Sequence, residues 1–262
     1  SSGKFIDQIT VKGDSNLIAD NIRKGTSILG VTGTMEGAWD TSQIRQTQYM
    51  FFDNKVMTEA PYLDVTNVTD ASNMFRKCSE LINIPVYDFL NVTTINYMFN
   101  GCSVLKDVEL NFGENVVSAS MAFTSCYLLE NVKLNNFIGG NVIASMFSGC
   151  RTLEEVNAFN AENCSNVSNI FANCTNLKNF NGLINVGQGY LTSQSANYSP
   201  YTFWLGESSL LTYDSLISII NNLYDIASKG CNTQKLAIGT TNIAKLTAEE
   251  IAIATNKGWT VT

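Results

Sequence analysis

Histidine is absent from all 262 residues, and with it goes one of the two side chains that most often hold structural zinc. Charge is sparse: 15% of residues are charged, the net charge is −7, and the isoelectric point lies near 4.6. No run of Lys and Arg occurs, so nothing is built to meet a phosphate backbone, and no nucleic-acid partner is expected. There is no long apolar run for a membrane span and no cleavable apolar leader, so no membrane insertion is expected. The Ser1-Ser2-Gly3 start lacks an initiator Met and reads as a processed end, a fragment or a cloning scar. The glycines around Val31 and Thr32 are not followed by Gly-Lys-Ser/Thr, which makes them turn residues and not a phosphate loop. Heptads for a coiled coil are missing as well.

What the chain does have is a period. Phe75, Phe99, Phe123, Phe147 and Phe171 recur every 24 positions, each opening a block of Phe, two polar or small residues, Cys, two residues and Leu. A further apolar residue follows nine positions after each Phe, at Ile84, Val108, Val132, Val156 and Phe180. A unit this short cannot bury that set alone, but stacked copies can, and a period of this length with a recurring Leu predicts a leucine-rich-repeat solenoid with one short parallel strand per rung. With 45% hydrophobic residues the chain can support a sizeable interior, yet solenoids grow by addition, so pattern and not length sets the domain count.

Seven cysteines suggest a disulfide framework at first sight. Cys78, Cys102, Cys126, Cys150 and Cys174 all occupy one repeat position, however, and parallel Cβ vectors on neighbouring rungs disfavour bonding. They read as buried free thiols packed like small hydrophobes; Cys164 and Cys231 stay unassigned. No metal or cofactor is expected.

Four regions follow. Residues 1–39 form a small N-terminal α+β segment, with a helix carrying Leu17, Ile18 and Ile22 and a strand from Ile28 to Thr34. Residues 40–63 read as an N-terminal cap whose aromatics cover the first rung. Residues 64–183 are the five-rung solenoid, with Asn67-Val68, Asn91-Val92 and Asn115-Val116 echoing at its corners and drifting to Asn141-Val142 and Asn166-Val167. The Asn-X-Ser/Thr triplets there read as corner chemistry. Residues 184–262 are an α/β C-terminal cap: a last strand at Tyr201 to Leu205, a sealing helix from about Tyr213 to Ala227, a strand from Gln234 to Ile238, a Thr247/Glu250 capping box with its helix, and a closing strand.

Candidate binding residues come from alternation along the rung strands. Seven residues after each Phe stand Ile82, Lys106, Glu130, Glu154 and Lys178; ten after stand Pro85, Glu109, Lys133, Asn157 and Asn181. Both columns are expected to face solvent, with Lys106 meeting Glu130, Glu154 meeting Lys178 and Glu109 meeting Lys133. The column eight after, Asn83, Asp107, Asn131, Glu155 and Asn179, is expected by parity to point inward or lie at an edge. Glu130 and Glu154 would be neighbouring carboxylates at roughly the 5–5.5 Å separation of a retaining glycosidase, the single enzyme lead, with no cleft around it. A second candidate surface is the aromatic stretch Tyr190, Tyr198, Tyr201 and Trp204, of binding-loop composition, with Phe203 turned inward; the alternative is that these rings cover the last rung.

The block Met-Phe-x-x-Cys-x-x-Leu with an Asn-Val-Thr step before it resembles the BspA-like leucine-rich repeats of bacterial surface proteins and their phage-borne relatives, over about 120 residues. Residues 19–37 resemble a segment common in phage tail-fibre and tail-tip proteins, and 211–230 with 235–262 resemble the C-terminal module that closes many phage-encoded repeat proteins. The resemblance implies a non-enzymatic adhesion or receptor-binding protein without catalytic residues. It would sit on a virion tail, with a bacterial surface glycan or protein as receptor, other tail proteins as neighbours and a homotrimeric state. The alternative is an adhesin of the bacterial cell surface. Ala122 and Ile170 depart from the usual Met beside the Phe, conservatively for packing.

Overall fold

The computed structural model describes residues 27–28, 31–32, 41–189 and 202–262. It divides into two units, Ser1–Asp40 and Thr41–Thr262. In the first, β1 (Ser27–Ile28) pairs antiparallel with β2 (Val31–Thr32). Over its described part the expected single strand from Ile28 to Thr34 is thus corrected to a pair of short ones, since Ile28 lies opposite Val31 and Ser27 opposite Thr32. The expected helix around Leu17 to Ile22 lies outside the described residues.

The second unit repeats one event. A 24-residue segment lies beside the next with residue i against residue i+24, except that Tyr87–Phe89 pair 23 residues on and Ile138 pairs 22 on, and a column of single-residue parallel bridges links Gln46, Asp70, Thr94, Ser118, Val142 and Asn166. A parallel sheet runs in the order β3 (Tyr87–Phe89), β4 (Asp107–Phe112), β5 (Asn131–Asn135), β6 (Glu155–Val156), β8 (Asn179–Phe180). Beside it β7 (Phe159–Asn160) pairs with β9 (Leu183–Ile184). Helices are few among the described residues, and short parallel strands dominate.

The core is a column of rings. Phe51, Phe75, Phe99, Phe123, Phe147 and Phe171 stack with centroids 5.2 to 5.4 Å apart and planes within 14° of parallel. Beside each ring from Phe75 onward a cysteine thiol donates to the carbonyl of the Phe one rung earlier: Cys78 to Phe51, Cys102 to Phe75, Cys126 to Phe99, Cys150 to Phe123 and Cys174 to Phe147, at 3.0 to 3.2 Å. The position needs a side chain small and apolar enough for the core that still offers a donor, and Cys is both. All seven cysteines are free. Burial pushes the thiols of Cys102, Cys126 and Cys150 far up, those of Cys164 and Cys174 to about 12, and that of Cys78, near the end of the stack, to about 11.

Phe51 makes residues 41–63 a further rung and not merely a lid of aromatics. Asn54 stands where later rungs have Cys, and its Oδ1 closes its own turn on the N–H groups of Val56 and Met57. Met57 takes the Leu position.

The turn that carries each Phe has two left-handed residues. One column holds Tyr49, Asn73, Tyr97, Met121, Ser145 and Asn169; the other holds Asp53, Lys77, Gly101, Ser125, Gly149 and Asn173. Their effect is to alternate the N–H groups. Phe75, for example, donates to Met98 on the next rung at 2.9 Å, whereas Arg76 donates to Asn73 within its own turn at 3.2 Å. Every turn is thereby bonded to itself and to its neighbour.

A second aromatic column, Phe89, Phe112, Phe137 and Phe159, is buried at the far end of the strands with centroids 5.1 to 6.4 Å apart. Its members are spaced unevenly, and Asn136 in the left-handed region absorbs the slip. The corners themselves do not drift, which corrects the expectation for rungs four and five. Ser118, Val142 and Asn166 stay 24 apart, and Ile143, not Val142, is the buried residue. The column of Val68, Val92 and Val116 continues as Gly140 and Cys164, where the Cys164 thiol donates to the Gly140 carbonyl at 2.8 Å. A Cβ on Gly140 would come within 2.1 Å of the Val117 carbonyl group, so only glycine permits the rungs to approach there.

The last rung ends against α1 (Tyr213–Asn222), N-capped by Thr212. Its hydroxyls meet the free strand edge: Ser215 Oγ accepts from Phe180 N and donates to Lys178 O, and Ser218 Oγ and Asn222 Nδ2 donate to Asn181 O. α1 stops earlier than Ala227, because Leu223 turns extended and bridges Val186, with Tyr224 N donating to Val186 O at 3.2 Å. A three-stranded parallel sheet of β10 (Thr202–Trp204), β11 (Gln234–Ala237) and β12 (Trp259–Val261) completes the end, with α2 (Thr240–Ile243) and α3 (Ala248–Asn256). Both halves of the Thr247/Glu250 capping box form.

Candidate functional site

Four of the five strands of the sheet, β4, β5, β6 and β8, begin eight residues after their Phe, whereas β3 begins twelve after Phe75. Along β4 the second, fourth and sixth residues, Val108, Leu110 and Phe112, are buried, while Asp107, Glu109 and Asn111 turn away from the core. The column Asn83, Asp107, Asn131, Glu155 and Asn179, expected inward or at an edge, is therefore exposed throughout. The reason is that the residues seven after Phe still belong to the preceding turn, so two consecutive positions face water before alternation sets in.

These outward residues line a shallow depression of about 590 Å³ over β4 to β6. Asp107, Glu109, Asn131, Lys133, Asn135, Glu155 and Asn157 supply its polar surface, and Ile84 and Val86 form an apolar wall at one end. In-register pairing of Glu109 with Lys133 and of Asn131 with Glu155 sets the rows. Carboxamides tie the rows together: Asn131 Nδ2 donates to Asp107 Oδ1 at 2.7 Å, and Asn135 Nδ2 to Asn111 Oδ1 at 2.7 Å and Glu109 Oε1 at 3.0 Å. Asn111 Nδ2 in turn donates to Asp88 Oδ1 at 2.6 Å. Lys133 Nζ reaches Glu109 Oε1 at 2.8 Å, and this bond, reinforced by Asn135, holds the Glu109 carboxyl below its usual range. Glu155 keeps both carboxylate oxygens free of hydrogen bonds among the described residues. The rungs fix the positions of these groups, and what they offer a ligand is a grid of acceptors beside an aliphatic wall.

Of the residues singled out in the sequence, Glu109, Lys133 and Asn157 meet here. Asn157 acts structurally, since its Oδ1 accepts from Leu134 N at 3.3 Å and its Nδ2 donates to Leu134 O at 3.4 Å, continuing the ladder past the two-residue β6. Lys106, Glu130 and Glu154 stand outside the lining. Glu154 pairs with Lys178 at 2.7 Å as expected. Lys106 and Glu130 do not pair side chain to side chain, because an exposed ion pair is worth at most about 1 kcal/mol and does not compel the geometry. They meet only through the backbone, Glu130 N to Lys106 O at 2.8 Å. Asn181 belongs to the junction with α1. Tyr190, Tyr198 and Tyr201 lie outside the described residues, Phe203 is buried, and Trp204 is 40% exposed. Asp88, Asn111 and Asn135 were missed by the sequence reading; continuing the alternation two positions further along each strand points to Asn111 and Asn135. Among the described residues no cluster of side chains could hold a metal.

A family model described as "Mycoplasma protein of unknown function, DUF285" matches residues 30–137 and again residues 106–190. The overlapping matches together span more than half of the chain, as a repeat allows. No curated protein and no solved structure matches.

Proposed function

The chain belongs to the family described as Mycoplasma protein of unknown function, DUF285, and on that premise we propose that it is a non-enzymatic recognition module, a leucine-rich-repeat solenoid whose outward sheet face binds a partner. The observation that carries this reading is the depression over β4 to β6, where polar side chains are held in rows by a rigid ladder. Rigid presentation lowers the ordering entropy that binding must overcome. In the finer form of the proposal the module is part of a phage tail fibre or tail tip. It recognises a bacterial surface glycan or protein there, with other tail proteins as neighbours and a homotrimeric state; the resemblance of residues 19–37 and of the C-terminal segments supports that form. A second reading, a bacterial cell-surface adhesin, is favoured by the family's description, which names Mycoplasma.

Labelled protein is expected to bind susceptible cells saturably. The double variant Asp107→Ala/Glu155→Ala should bind at least about tenfold more weakly with its melting temperature preserved. Undiminished binding by that variant would remove the outward face from consideration. Immunogold labelling of virions and of cells separates the two readings. Glycan turnover abolished by Glu130→Gln or Glu154→Gln would reverse the non-enzymatic reading.

A further inference from the structure

Three rungs place aromatic rings and cations together on the turn that carries the Phe column, away from the outward sheet face. Tyr49 and Phe52 on the first rung are 56% and 39% exposed, and their rings meet edge to face at 5.5 Å. Arg76 on the second rung lies between Phe52, at 5.9 Å, and Tyr97 of the third, at 4.9 Å. Lys77 Nζ stands 5.8 Å from the Phe52 ring. On a chain of net charge −7, neither Arg76 nor Lys77 has a carboxylate partner among the described residues. Asp53, whose N–H donates to Arg76 O at 2.8 Å, turns its carboxylate to Lys55 at 3.4 Å.

The guanidinium is also aimed and unfinished. Asn73, 6% exposed, accepts from Arg76 Nη1 at 3.1 Å and fixes the fork. Arg76 Nε is shielded from solvent and has no acceptor. A buried donor without a partner is unfavourable, more so when the group is charged. The guanidinium N–H groups not given to Asn73 and not shielded remain to donate, and a planar carboxylate or phosphate matches their geometry.

We propose that Tyr49, Phe52, Arg76, Lys77 and Tyr97 form a binding site for an anionic saccharide: the exposed rings receive the apolar face of a sugar, and Arg76 with Lys77 takes its carboxylate or phosphate. Three rungs at about 4.8 Å span roughly 10 Å, room for one to two sugar units. The site is separate from the outward sheet face, so either can fail without the other.

The test titrates the full chain, by calorimetry at low salt, with a galacturonic-acid trisaccharide, a glycerol-phosphate-linked sugar oligomer and a neutral galactose trisaccharide. At least one anionic oligomer should bind, the neutral one at least about tenfold more weakly, and affinity should fall as salt shortens the screening length. Whichever anion binds more tightly identifies the source of the charge. Arg76→Gln should weaken binding at least about tenfold, and Arg76→Lys, which keeps the charge and loses the fork, should fall between. Asp107→Ala on the sheet face should change nothing. The proposal is overturned if neither anion binds at about 10 mM, if the neutral sugar binds equally well, or if Arg76→Gln and Arg76→Lys both retain wild-type affinity. Should Arg76→Gln fail to fold, Arg76→Lys and Lys77→Gln decide.

Discussion

Raising the pH should unfold this protein steeply, and the cause is its cysteines. Six thiols, those of Cys78, Cys102, Cys126, Cys150, Cys164 and Cys174, are buried and pushed up from 9.0, the lowest of them to about 11. In the unfolded chain they ionise near the ordinary value. Between about pH 9 and pH 11 the folded state therefore holds more protons than the unfolded one, and stability falls as pH rises. The contribution is fully present below pH 9. Each thiol adds a slope approaching about 1.4 kcal/mol per pH unit, so six acting together approach roughly 8 kcal/mol per unit, comparable with the whole stability of a typical domain at about 5–15 kcal/mol. Urea midpoints followed by far-ultraviolet circular dichroism in a reducing buffer at pH 8, 9, 9.5 and 10 measure that slope, and thiolate absorbance near 240 nm should rise only with unfolding. In Cys126→Ala/Cys150→Ala the slope should drop by about a third, whatever the loss of stability at pH 8. A wild-type slope of about 1.4 kcal/mol per unit or less, or thiolate absorbance rising while the fold persists, would refute the reasoning.

Replacing Phe123 with Ala empties the middle of the ring column, where the side chain is wholly buried between Phe99 and Phe147 at 5.3 Å on either side; a loss of about 3–5 kcal/mol is expected in urea unfolding, and an unchanged melting temperature contradicts the core. Ser125 sits at φ 63° in a column that has Gly101 and Gly149 one rung to either side. Relief of left-handed strain outweighs the added freedom of the unfolded chain, so Ser125→Gly should gain up to about 1 kcal/mol, and calorimetry showing a loss would mean that the hydroxyl matters more than the backbone.

The ring and thiol columns were legible because both keep the 24-residue period without exception. The first rung was not, because Asn54 and Met57 replace the Cys and Leu that mark the others. That substitution has a physical sense at the first rung: no Phe stands 24 residues before Phe51 to offer a thiol its carbonyl, whereas a carboxamide can close its own turn. The second aromatic column escaped notice for the opposite reason. Its residues are conspicuous, but the spacing between them slips and recovers around Asn136, so a fixed-period reading steps over it. At the sheet face, Glu109 and Lys133 followed from alternation, while Asp107, Asn131 and Glu155, expected inward or at an edge, face water because the residue before each still belongs to the turn. The site around Arg76 has no periodic signature at all; it arises from residues that differ between rungs.

The two left-handed positions in every turn have a further consequence. Because each segment presents to the next the same hydrogen-bonding edge that it receives from the one before, a whole 24-residue segment can be gained or lost at a seam while its neighbours keep their partners. Reach, and the number of side chains offered to a partner, can then change by gene duplication in a single step, leaving individual positions free to diverge for recognition.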